Sequence, residues 1–174
     1  MDNQTIYALS TVMGKSGVAV IRVSGAEARE TIYRMTDIDI GRLKPRYAYF
    51  ANLYSVPERQ LLDKCLLLYF KAPFSFTGED IVELQIHGSR AVISGVISSL
   101  AQIPGFRLAE PGEFSKRAFY NGKMDLTQAE GLADLIDAET AEQQKYAMRQ
   151  MEGGLKNLYE SWRDELLTVM AHLE

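Results

Sequence analysis

The sequence predicts an α/β (α+β) fold, a mixed β-sheet with flanking helices followed by a C-terminal helical extension. Three observations predict it. Strand-like and helix-like segments alternate from Thr5 to Ala109, the order expected of an α/β domain. Two adjacent strand patterns, Arg46 to Val56 and Leu61 to Phe70, are joined by a turn at Pro57-Glu58-Arg59-Gln60, and this hairpin supplies the antiparallel neighbours that make the sheet mixed. From Thr127 the pattern becomes helical, and the charge changes with it. Residues 1–126 carry 15 basic and 13 acidic side chains, against 4 and 10 in residues 127–174, so two structural regions are expected.

A chain of 174 residues, 47% hydrophobic, can bury a core without disulfides or a structural metal, and neither is expected. The net charge of -4 argues against a free-standing nucleic-acid binder, which carries a basic surplus. No long uncharged apolar run and no signal peptide is visible, so no membrane association and a cytoplasmic location are expected. Cys65 lies within an apolar run and reads as a packed core thiol rather than a nucleophile.

Thr5 to Ser10 reads as the first strand and Val18 to Val23 as the second, joined by a glycine-permitted turn at Met13-Gly14-Lys15-Ser16-Gly17. Gly-Lys-Ser invites a phosphate-loop reading, but that motif needs a glycine at position 9, where Leu9 stands. Arg22 interrupts an otherwise apolar strand. A buried guanidinium without a partner costs several kcal/mol, so Arg22 needs a carboxylate or a ligand anion, and Glu83 is a candidate. Ser24-Gly25-Ala26-Glu27 has the form of a capping box opening a helix to about Met35, with Ile32 and Met35 buried. Residues 37–45 read as a loop.

Pro73-Phe74-Ser75-Phe76-Thr77-Gly78-Glu79-Asp80 reads as an elaborate turn feeding a strand, Ile81 to Gly88. Val82, Leu84 and Ile86 alternate there with Glu83, Gln85 and His87, which fits the rim of a polar pocket and equally a strand with one solvated face. Ala91 to Ile103 is a helix with Val92, Ile93, Val96, Ile97 and Leu100 on its apolar side, and Phe106 to Ala109 is a short strand. Pro111 to Leu126 holds one short helix between turns, and Asn121-Gly122 displays Lys123, either as a solvated lysine or facing an anion. Capping boxes are read at Thr127/Glu130 and Thr140/Gln143, with an apolar stripe of Ala129, Leu132, Ala133 and Ile136. Met148, Met151, Leu155, Leu158, Trp162, Leu166, Val169, Met170 and Leu173 then predict one long amphipathic helix. Gly153-Gly154 weakens its middle by roughly 1 kcal/mol per glycine, enough for a bend. With no stop signal at the last residue, the natural chain is expected to continue.

Pro73 to Asp80 with Glu83 and His87-Gly88, Pro111 to Phe119, Asn121 to Glu130, Ile21-Arg22-Val23-Ser24-Gly25 and Pro45-Arg46 together closely resemble the N-terminal part of the MnmE (TrmE) family of tRNA-modification GTPases. The resemblance spans essentially the whole chain. It implies a domain over residues 1–121 similar to the tetrahydrofolate-binding domains of the glycine-cleavage T-protein type, which binds 5-formyl- or 5,10-methylene-tetrahydrofolate and forms a homodimer. Residues 122–174 would be the first helices of a helical domain. The folate contacts implied are Arg22, Glu83 and Lys123, with Glu83 accepting from the pterin ring N–H and amine while Arg22 and Lys123 meet carbonyl, formyl or glutamate oxygens. No catalytic residue is implied within the chain.

The complete protein would act with the flavoprotein MnmG (GidA) on C5 of the wobble uridine (U34) of tRNA, adding an aminomethyl-type group. GTP, Mg and K would belong to a GTPase domain whose phosphate loop is not among these residues, so this chain alone should not hydrolyse GTP. Two departures occur: Ser89 where the family has a second glycine, and Thr11-Val12 where it often has Thr-Pro. Two other readings remain, a dimerisation-only module without folate binding, and an independent folate-dependent methyl-transfer enzyme.

Overall fold

A computed structural model describes residues 4–172, apart from the side chains of residues 154–157 and 160. Six strands form one sheet in the order β3-β4-β5-β2-β1-β6: β1 Thr5–Leu9, β2 Ser16–Ser24, β3 Ala48–Tyr54, β4 Leu61–Phe70, β5 Ile81–Gly88 and β6 Phe106–Leu108. Among the described residues only β1 and β6 pair in parallel, so the sheet is mixed as expected. α1 (Glu30–Met35) and α2 (Arg90–Ala101) cover one face, where Ile32, Met35, Ile93, Val96 and Leu100 pack on Ile21, Val23, Leu53, Cys65, Leu67, Val82 and Leu84.

Strand alternation sends the intervening residues to the second face. Arg22 stands there opposite Glu83, and Gln85 lies between Val20 and Leu66. Phe50 and Leu66 on this face are 72% and 43% exposed, so no layer of the described chain covers that corner.

The helix after β2 departs from expectation. α1 begins at Glu30 without a side-chain cap, because the Ser24 hydroxyl bonds to Thr77 and Glu79 instead of to a helix. Gly25 adopts φ 145, and a Cβ there would lie 2.6 Å from Thr5 Oγ1. β3 starts two residues later than Arg46, which takes φ 62 and cannot belong to a strand. α2 is capped by Ser89, whose side chain accepts from the Val92 N–H.

The chain divides into two compact units, Met1–Ala118 and Phe119–Glu174. α3 (Glu113–Tyr120) runs across that division. The second unit is helical: α4 (Leu126–Asp137), α5 (Ala141–Met151) and α6 (Gly154–Ala171). Thr140 and Gln143 form the expected capping box, but the one opening α4 is Asp125 with Gln128, and Thr127 donates to Asp125. The stripe is also displaced. Gly131 is the buried residue of α4, against Ala147 and Gln150 of α5, while Ala133 is exposed and Ile136 is 75% exposed. The single long helix is two, because Gly153 takes φ 84 and breaks the hydrogen-bond ladder. Leu173 and the Leu155 side chain lie outside the described residues.

Candidate functional site

β2 and β5 bring the first two predicted site residues together. Ile21 and Val23 are held in the core, so Arg22 must leave the other face, where register places it beside Glu83 of β5 and Ala8 of β1. Arg22 Nε and Nη2 both lie 2.8 Å from Glu83 Oε1, the two side chains being 27% and 16% exposed. Both donors converge on one oxygen. Glu83 Oε2 and Arg22 Nη1 therefore take no hydrogen bond among the described residues. The pair thus keeps one carboxylate oxygen and one guanidinium nitrogen in reserve, in side chains partly shielded from water, where charge-assisted hydrogen bonds are strong.

Two aromatic rings flank the guanidinium. Its central carbon lies 5.4 Å from the Phe76 ring centroid and 5.7 Å from that of Phe114, within reach of the cation–π attraction. The turn from 71 to 80 presents Phe76. Asp80 fastens the two ends of that turn, accepting from the Ala72 N–H at 2.8 Å and the Tyr69 hydroxyl at 2.9 Å, and Gly78 supplies φ 79. Burial, then the bond to Asp80, push the Tyr69 hydroxyl up to about 12. α3 presents Phe114.

Behind the rings lies an ion network. Glu79 accepts from the Ser24 hydroxyl at 2.8 Å and from Arg117 Nη1 at 3.1 and 3.2 Å. Arg117 Nη2 donates to the Gln4 carbonyl at 2.9 Å and to Glu113 at 3.2 Å. Glu113 also receives both arms of Arg107 at 2.7 and 2.6 Å, and Arg107 foremost holds its carboxyl down at about 2.

Lys123, the third predicted residue, is exposed and belongs to the second unit. It follows Gly122, which takes φ 66 in the turn closed by its N–H on the Phe119 carbonyl. The structure thus joins Arg22 and Glu83, and Lys123 rests on its motif.

Cys65 is packed in β4, and burial, with Asp63 nearby, pushes its thiol up to about 12, so it is not an activated nucleophile. His87 Nδ1 lies 2.7 Å from Asp63 Oδ1 while the His87 N–H donates to Oδ2 at 2.8 Å. Burial pushes the Asp63 carboxyl up, but the two His87 bonds together with the Lys64 N–H and the His87 charge leave it below the usual range.

Phe76, Glu79, Phe114 and Arg117 were not singled out as site residues by sequence reasoning. A signal existed in the spacing Phe76-x-x-Glu79 and Phe114-x-x-Arg117. The partners are 38 residues apart, however, and no periodicity joins a turn to a helix.

Among the described residues no group of His, Cys, Asp and Glu could hold a metal ion, and no helix is long and apolar enough to cross a membrane.

The family described as GTP-binding protein TrmE N-terminus matches residues 5–123, and that described as MnmE helical domain matches residues 126–174. A protein named tRNA modification GTPase MnmE from Parvibaculum lavamentivorans is 52% identical over 171 residues, which is 98% of this chain and 39% of that protein. Proteins of the same name from Wolbachia pipientis subsp. Culex pipiens and Rickettsia prowazekii are 53% and 49% identical over 173 residues, 99% and 98% of this chain and 38% of each relative. The chain therefore spans about two fifths of the length of these curated relatives.

Proposed function

Because this chain belongs to the MnmE (TrmE) family, we propose that it is the folate-binding and dimerising portion of a tRNA-modification GTPase. The observation that carries the reading is the half-shielded Arg22–Glu83 pair between Phe76 and Phe114, with Glu83 Oε2 and Arg22 Nη1 free of protein partners among the described residues. A reduced pterin matches that arrangement. Its ring N–H and exocyclic amine donate to a carboxylate, its carbonyl accepts from a guanidinium, and the planar pyrimidinone half of its ring system suits aromatic neighbours.

The ligand proposed is 5-formyl- or 5,10-methylene-tetrahydrofolate, which supplies a one-carbon unit when bound. Arg22 and Glu83 bind and orient it in the first unit, and Lys123 is added as a third contact on the family motif. Residues 1–121 are proposed as the folate and dimerisation domain, and residues 122–174 as the start of the helical domain. The complete protein is proposed to act in the cytoplasm, with MnmG (GidA), on U34 of tRNA, and to hydrolyse GTP with Mg and K in a domain outside these 174 residues.

Calorimetric titration of the chain with 5-formyltetrahydrofolate tests the reading. Saturable binding is expected, lost in folded Glu83→Ala and Lys123→Ala. A folded wild type that takes up no folate at high concentration would leave the dimerisation-only reading, which the exposed Phe50 and Leu66 on the open sheet face favour.

A further inference from the structure

Three elements of the first unit meet twice at the Arg22 site. In one layer, Arg22 of β2 lies within cation–π distance of both Phe76 of the turn and Phe114 of α3. In the other, Ser24 of β2 donates to Glu79 of the turn, and Glu79 receives Arg117 of α3. The spacing in each element is what relates the layers. Ser24 follows Arg22 by two on a strand, Glu79 follows Phe76 by three in the turn, and Arg117 follows Phe114 by three on one helical face.

The geometry points to Glu79 and Arg117 as positioning residues that latch the two aromatic walls onto Arg22. Neither needs to touch a ligand. Phe76 is 36% exposed and sits in a turn rather than in a strand or helix; Asp80 closes that turn, and Thr77 ties it to β2. Glu79 adds the tie between that turn and α3, because its carboxylate is bound at once to Ser24 of β2 and to Arg117 of α3. Arg117 is 8% exposed in its side chain, and its second arm is fixed by the Gln4 carbonyl and Glu113, so the fork is pre-set before it meets Glu79. An immobilised ring spares a ligand the entropy of ordering it, so the latch raises affinity without a contact of its own.

The effect on affinity rests on the folate reading above, and the latch itself does not. Two readouts separate them. The first uses free protein: the Arg22 Nε–H resonance is expected to carry a ring-current shift from the two phenyl rings. Glu79→Gln and Arg117→Gln should move it toward its unshifted position, as Phe114→Leu does. Should Arg117→Gln fail to fold, the isosteric Glu79→Gln carries the test.

The second readout is affinity for 5-formyltetrahydrofolate. Glu79→Gln should weaken it about tenfold, and Glu79→Gln combined with Phe114→Leu should be no weaker than Phe114→Leu alone. Folded variants that leave the Arg22 resonance in place, or affinity losses that add in full, would overturn the latch. Variants that move the Arg22 resonance, in a protein whose wild type binds no folate, would sink the folate reading and leave the latch standing.

Discussion

Arg22 and Glu83 occupy facing positions of neighbouring strands, and their chemistry follows from that register. The need for a partner was legible, because a guanidinium on an apolar strand is too costly to leave unpaired. Its aromatic walls were not legible, since Phe76 and Phe114 come from a turn and a helix remote in sequence.

Glu113 provides a test at this scale. Arg107 foremost holds its folded carboxyl down at about 2, below the ordinary 4.5. A depressed carboxyl contributes stability that is present above the unfolded value and disappears as pH falls through the folded one. Urea midpoints of the wild type should therefore fall as pH drops from about 4.5 toward about 2, with a flatter profile for Glu113→Gln. Equal slopes for the two proteins would place the acid sensitivity elsewhere.

β5, whose faces alternate, and β4, apolar from Cys65 to Phe70 and entered through a turn, were the most legible strands, and both have the expected limits. Where a local signal met a tertiary demand, the tertiary demand won. The Ser24–Glu27 pattern has the letters of a capping box, yet the Ser24 hydroxyl is bound by Glu79, a partner that local spacing cannot announce. Thr127 lost its cap role to Asp125, which stands two residues earlier and carries the stronger acceptor.

The α4–α5 contact turns on a glycine rather than on the apolar stripe. A Cβ on Gly131 would lie 3.1 Å from Gln150 Cβ and 3.2 Å from the Ala147 carbonyl oxygen. Gly131→Val should cost about 1–3 kcal/mol by overpacking, read as an earlier loss of helical circular dichroism on heating. A variant that melts with the wild type would show that the two helices separate freely.

At the scale of the whole molecule, the sheet is covered on one face by α1 and α2 and carries exposed Phe50 and Leu66 on the other. The dimer proposed above would bury that corner. Leu66→Asp is then expected to raise the dimer dissociation constant at least tenfold in sedimentation equilibrium, since it leaves a charge in an apolar contact. A mass unchanged by the substitution would move the interface elsewhere. The two-region organisation was legible from the charge break after residue 126 and the change of periodicity, because an acidic helical segment and an alternating sheet leave different patterns.

If the Arg22–Glu83 pair receives the folate, the arginine Nε–H resonances report it directly as 5-formyltetrahydrofolate is added. The Arg22 signal should move saturably, and Arg59, stacked 4.6 Å from Tyr54 and paired with Asp37, should stay in place. Saturable binding that leaves Arg22 unmoved while another arginine responds would contradict the account.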